Sequence, residues 1–262
     1  MRTKKVLKPI KKRIDDYLKC GQRIRKHHNP DSVHDFRIAS RNLMVILPLI
    51  SNGHPSKWQC DIKGWLKELN RLRDLQVLLD RLKGHPAITF RIQNQIDDEL
   101  KQWRSSHRDI VRKDFRCRLE KELKRLSHHI KEAPDQFARA LGQQFLAVQN
   151  HLLGRLKKVD TTEPKTLHRL RVAYKSFRYI SSLLSEIGML LKLNRQQLKK
   201  WQKLLGDIQD DEVAIAWLFE HWPEERVLIQ SLQDHSEQLR RQFNDELKRF
   251  HEVVTKIRFK QS

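Results

Sequence analysis

Cysteine is nearly absent. Cys20, Cys60 and Cys117 are odd in number and far apart, so there is no disulfide framework and no CxxC metal or redox pair, and reduced thiols of a cytosolic protein are expected. Long apolar runs are missing too: the longest, such as Leu43 to Ile50, fall far short of the ~20 residues a bilayer-spanning helix needs, which excludes a transmembrane segment. The basic start Met1-Arg-Thr-Lys-Lys is followed by no apolar stretch or small-residue cleavage site, so no secretory signal is read and the expected location is the cytoplasm. Glycine and proline are scarce, 8 of each in 262 residues, and no stretch alternates apolar and polar residues long enough to make a strand. Acidic residues are in deficit: 32 Asp and Glu stand against 54 Lys and Arg, a formal net charge of +22.

That excess points to a polyanionic partner, namely nucleic acid, polyphosphate or an anionic membrane surface. Solubility alone is served by net charges of about 2–8 in a small domain, so +22 asks for a further reason. The 38% hydrophobic fraction is low, yet sufficient for helices that each bury one stripe.

Prolines 30, 55, 86, 134, 164 and 223 fall between periodic segments and act as helix punctuation. Between them apolar residues recur three and four apart, as in Leu66, Leu69, Leu72, Val77, Leu79 and Leu82. The pattern predicts eight helices, over 3–27, 32–51, 57–83, 88–129, 135–158, 164–187, 194–221 and 224–258, and no sheet. Ser32-Val-His-Asp35 resembles a capping box that would start the second helix at Ser32. Pro48 is expected to kink or shorten that helix's last turn.

Displaced by 134 residues, VHDFRIASRNLMVILPLI (33–50) falls on LHRLRVAYKSFRYISSLL (167–184), matching His34 with His168, Arg37 with Arg171, Ala39 with Ala173 and Arg41 with Lys175. A displacement of 136 sets WLKELNRLRDLQVLLDRL (65–82) on WQKLLGDIQDDEVAIAWL (201–218), matching Trp65 with Trp201, Lys67 with Lys203, Asp74 with Asp210 and Leu82 with Leu218. The expected architecture is therefore all-α: two tandem four-helix repeats, about 3–130 and 134–259, packed about a pseudo-two-fold axis in one domain with a shared basic groove.

His168, Arg171, Lys175 and Arg178 are spaced i, i+3, i+7 and i+10, along one face of a helix, with Leu170, Val172, Phe177, Ile180 and Leu184 assigned to the opposite, core-forming face. The first repeat has His34, Arg37, Arg41 and then Met44. At ~1.5 Å rise per residue such a row spaces cations about 5 Å apart over roughly 15 Å, a ladder suited to a chain of phosphates. A basic helix stripe is most often a solvated face. Recurrence of His-x-x-Arg-x-x-x-[Arg/Lys] at matched positions argues against that here.

The Trp65 and Trp201 blocks, whose tryptophans are assigned to the core, add Lys63, Lys67 and Arg73 in one repeat and Lys199, Lys200 and Lys203 in the other. Asp74 and Asp210 are matched acids expected to orient an Arg or a protonated His. No nucleophile–base pair or metal cage recurs at a repeated spacing, the pairs His27-His28 and His128-His129 point to different helix faces, and no HExxH occurs, so neither catalysis nor a bound metal or cofactor is expected. Zinc-finger spacing, a heptad zipper and RNP aromatics, the marks of a nucleic-acid-binding protein, are also missing.

At these residues the chain resembles the CHAD family, the conserved histidine α-helical domain. The resemblance rests on His34-Asp-Phe-Arg37-Ile-Ala39, His168-Arg-Leu-Arg171-Val-Ala173, Arg73-Asp74 with Val77-Leu-Leu, Leu205-Gly206-Asp-Ile-Gln-Asp210, and Arg178-Tyr179, and it covers nearly the whole length. It implies two four-helix repeats and a non-catalytic module that binds inorganic polyphosphate, or polyphosphate granules, in a central groove, with nucleic acid as a competing ligand. Carried onto this chain, the groove is lined by His34, Arg37, Arg41, Lys63, Arg73, His168, Arg171, Lys175, Arg178 and Lys199, with Lys67 and Lys203 nearby. The family's first stripe usually continues with further Arg, where this chain has Asn42 and Met44, and Ser176 follows Lys175. No residues remain for the triphosphatase-like domain to which the family is often fused, so a stand-alone module is expected.

Overall fold

A computed structural model describes residues 3–27, 29–50, 57–106, 113–191 and 194–259. Among these are nine helices: α1 Thr3–Lys26, α2 Pro30–Ile50, α3 Lys57–Arg81, α4 Pro86–Ser106, α5 Lys113–Glu132, α6 Pro134–Leu156, α7 Pro164–Glu186, α8 Arg195–His221 and α9 Arg226–Lys256. Prolines 30, 86, 134 and 164 each occupy the first position of a helix, where the missing N–H costs nothing and the fixed φ suits the turn. Pro223 lies in the turn between α8 and α9, and Pro55 and His28 are outside the described residues.

Local chemistry sets the start of α2. Asn29, and not Ser32, caps α2: its Oδ1 accepts from the Ser32 amide at 2.9 Å and from Ser32 Oγ at 2.6 Å, which puts Pro30 at the first helical position. Asp35, expected to reach back to the cap, instead accepts from Arg23 of α1 at 2.9 Å. The helix continues through Pro48 to Ile50.

The span expected as a single helix, 88–129, holds α4 and α5, and residues 107–112 between them lie outside the described residues. One periodicity runs through both, but α4 packs on α3 while α5 packs on α1 and α2, and one straight rod would not serve both neighbours. The expected absence of a sheet is also corrected. β1 (Leu190–Leu191) and β2 (Arg258–Phe259) pair antiparallel, Leu190 opposite Phe259, and two-residue strands are too short to leave an alternation in sequence.

The chain divides into two compact units, residues 1–141 and 142–261, and the division falls within α6. In the first unit α1 packs on α2, α2 on α3 and α3 on α4. Its core is mainly aliphatic, with Ile10, Ile14 and Ile24 of α1, Leu43 and Ile46 of α2, Leu69 of α3 and Ile92 of α4 all buried around the tilted Tyr17–Phe36 pair, whose rings lie 5.2 Å apart.

In the second unit α8 packs on both α7 and α9. Its core is aromatic: Phe250 of α9 meets Trp201 at 4.6 Å, Tyr174 at 4.9 Å edge-on and Phe243 at 5.9 Å. Buried polar groups here are satisfied across long sequence gaps. Tyr174 Oη donates to the Leu198 carbonyl at 2.6 Å, and Gln149 Nε2 donates to the carbonyls of Val254 and Ile257, closing the end of α9. Gly188, at φ 78°, ends α7 in a Schellman turn, with Met189 N bonded to Leu184 O at 2.8 Å and Gly188 N to Ser185 O at 3.1 Å. Gly142 lets Phe259 approach: a Cβ there would lie 3.0 Å from the Phe259 ring.

Candidate cationic site on α2–α3 and α7–α8

The core faces of α2 and α7 settle which side of each helix is left for function. On α7, Leu167, Leu170, Tyr174, Phe177, Ile180 and Leu184 are buried, which turns His168, Arg171, Lys175 and Arg178 toward the rim. Val172, assigned to the core face from sequence, is 48% exposed: it stands four residues from His168 and shares that outward side. On α2, burial of Val33, Phe36, Leu43 and Ile46 leaves His34 exposed, with Arg37 and Arg41 half-buried. Trp201 is fully buried as expected, whereas Trp65 is only half-buried.

Each arginine next to a site histidine faces a polar side chain of the following helix. In the first unit Arg37 Nη2 donates to Asn70 Oδ1 of α3 at 2.7 Å. In the second, Arg171 Nη2 lies 4.0 Å from Asp210 Oδ1 of α8, with side chains 19% and 30% exposed. Asp210 is half-buried on α8 and Asp74 exposed on α3. Sequence reasoning passed over Asn70. It is a neutral residue 33 positions from Arg37, and its only signal was its place one helical turn before Asp74.

The histidines differ in their neighbours. His34 is held below its ordinary value of 6.5, first by partial burial and then by the nearby Arg73 charge. His168 Nδ1 donates to Gln209 Oε1, and Gln209 is the residue that the repeat alignment sets against Arg73.

Of the remaining candidates, Lys63 and Lys67 are exposed on α3, at helical spacing from Asn70 and Asp74. Arg73 is half-buried, Lys175 and Arg178 are half-buried on α7, and Lys199 is exposed on α8. Lys203 pairs with Asp207 one turn along α8 at 2.6 Å, and Lys200 lies 3.7 Å from Glu246 of α9.

The start of α7 is fixed from outside the helix. Asp160 Oδ1 accepts from Thr162 N and Oγ1, bonds that hold its carboxyl below the usual carboxylate range, and Thr166 Oγ1 donates back to the Asp160 carbonyl at 2.6 Å. Arg240 of α9 donates to the Thr162 carbonyl at 3.2 Å. Beside these first turns, between α7 and α8, is a pocket of about 230 Å³ lined by Pro164, Lys165, Leu167, His168, Arg171, Leu205, Ile208, Gln209 and Glu212. Among the described residues no cluster of three or more His, Cys, Asp or Glu could hold a metal ion, and no helix is long and apolar enough to cross a membrane.

The fold and these rows define an all-helical protein whose paired helices carry recurring His/Arg/Lys faces. The CHAD domain family matches residues 9–219, and the chain belongs to that family. α9 lies beyond the matched residues. The crystal structure of the CHAD domain from the plant Ricinus communis superposes with a TM-score of 0.71 at 17% identity, covering 98% of this chain and 92% of that one, a likeness of fold. Comparison with curated proteins finds no match.

Proposed function

We propose that the protein is a non-catalytic, cytoplasmic binding module for inorganic polyphosphate, and that His34, Arg37, Arg41, Lys63, Lys67 and Arg73 of one repeat and His168, Arg171, Lys175, Arg178, Lys199 and Lys203 of the other face a shared groove about a pseudo-two-fold axis. The observation that carries this reading is the placement of Arg37 and Arg171. Neither is fully exposed, both sit three residues after a histidine, and both lie against a polar side chain of the next helix, Arg37 bonded to Asn70 and Arg171 within ion-pair range of Asp210, which restricts their guanidinium groups before any ligand arrives. Restricted guanidinium groups suit the bidentate recognition of phosphate oxygens and lose less entropy on binding than mobile lysines. Family membership and the +22 charge agree with it.

The test is competition of long-chain polyphosphate against tripolyphosphate, single-stranded RNA and duplex DNA at equal phosphate concentration. Long-chain polyphosphate should bind most tightly, with log K falling linearly against log salt as condensed counterions are released. A preference for either nucleic acid would replace this reading with a helical nucleic-acid-binding protein. Steady phosphate release from polyphosphate, lost in Asp74→Asn or Asp210→Asn, would replace it with a phosphohydrolase.

A further inference from the structure

The α7–α8 pocket does not have the chemistry of a pure phosphate site. Pro164, Leu167, Leu205 and Ile208 give it an apolar wall, which inorganic polyphosphate cannot use. Its rim includes a carboxylate, Glu212, which repels a chain of phosphates. Glu212 accepts from Ser236 Oγ at 2.8 Å and lies 3.9 Å from Arg240, both through Oε1, so Oε2 keeps accepting capacity. One turn earlier on α8, Gln209 receives the His168 hydrogen bond on Oε1, which leaves Nε2 as the donor end of its amide. An amide donor and a carboxylate acceptor three residues apart on one helix face match the adjacent acceptor and donor on the edge of a nucleobase. At about 230 Å³ the pocket is smaller than the roughly 300–1,000 Å³ of typical small-molecule sites, so it admits one ring system and not a whole ligand. His168 and Arg171 border it and begin the cationic row, which continues ~10 Å along α7 from Arg171 to Arg178.

We infer that this pocket seats the base of a nucleoside polyphosphate whose phosphates lie on the row begun by His168 and Arg171. The inference rests on the phosphate-binding reading for the row and adds the base. The first unit lacks this combination: the alignment sets Arg73 against Gln209 and the buried Gln76 against Glu212, a cation and an amide in place of the amide and the carboxylate.

The experiment compares ATP and GTP with tripolyphosphate and ribose 5-triphosphate by calorimetry on the full chain in EDTA. Tripolyphosphate carries more negative charge than a nucleoside triphosphate, so a purely electrostatic site ranks it first. At least one nucleotide should instead bind ~10-fold tighter than tripolyphosphate, and ribose 5-triphosphate no tighter than tripolyphosphate. Gln209→Arg, which installs the first unit's residue, should remove the nucleotide preference and tighten tripolyphosphate. If tripolyphosphate equals or outranks both nucleotides, or if the preference survives Gln209→Arg, the inference is overturned while the polyphosphate reading stands. If none of the four compounds binds, the inference is overturned, and long-chain polyphosphate titrated in the same way decides the polyphosphate reading separately: binding keeps it and no binding removes it.

Discussion

The two units place the same residue types on matched helices and surround them differently. In the first unit Arg37 is held by a neutral amide, Asn70, and a second cation, Arg73, stands beside the histidine. In the second, Arg171 is opposed by the carboxylate of Asp210, and Gln209 takes the place beside His168. The difference teaches that matched histidines can be given different surroundings: a cation, Arg73, beside His34 favours its neutral form, whereas a neutral amide, Gln209, takes a hydrogen bond from His168. Their described cores differ in emphasis as well, mostly aliphatic side chains with the Tyr17–Phe36 pair in the first and four interlocked rings at Phe250 in the second.

The largest expected effect tests that core difference. Phe250→Ala should destabilise the protein by about 3–5 kcal/mol, because it empties the centre of the ring cluster, and Ile14→Ala by about 2–5 kcal/mol. Urea unfolding read by tryptophan fluorescence, which reports Trp201 packed on Phe250, measures both. A smaller loss for Phe250→Ala than for Ile14→Ala would break the contrast.

Next come the arginines. Arg37→Ala and Arg171→Ala should each lower the salt slope of polyphosphate binding by about one and weaken binding to every chain long enough to reach them. Lys4→Ala, on the exposed side of α1, should change neither quantity measurably. If all three variants behave alike, the charge acts as a diffuse cloud and there is no groove.

Exchanging the anchors sharpens the comparison further. Asp210→Asn should tighten polyphosphate binding severalfold by removing a carboxylate 4.0 Å from Arg171, and Asn70→Asp should weaken it by a similar factor by adding one beside Arg37, about 1 kcal/mol each way. Equilibrium titrations at fixed salt decide the sign, and the reverse order would show that orientation outweighs charge.

The smallest effect is pH dependence through His34. Its native pKa lies below 6.5, so the neutral form dominates near pH 7 and the stability it contributes is full above 6.5 and lost as pH falls through the native value. A bound polyanion favours the protonated ring and acts in the opposite direction. Polyphosphate affinity should therefore rise as pH falls from 7 toward 6, and His34→Gln should flatten that rise. An unchanged pH profile in His34→Gln would remove His34 from the contact surface.

Helix content, the proline-marked starts at Pro86, Pro134 and Pro164, the cationic rows and their recurrence were determined by sequence alone, because capping, periodicity and charge act over a few residues and need no partner. Tertiary structure decided which residue holds which. Asn70 reaches Arg37 across 33 positions and Gln209 reaches His168 across 41, and neither pairing leaves a local trace. The different neighbours of α4 and α5, the outward turn of Val172, the β1–β2 pairing and the α7–α8 pocket have the same origin. Each depends on what packs against a helix face, and a periodic stripe shows that a face is to be buried without showing which partner buries it or what space the two leave between them.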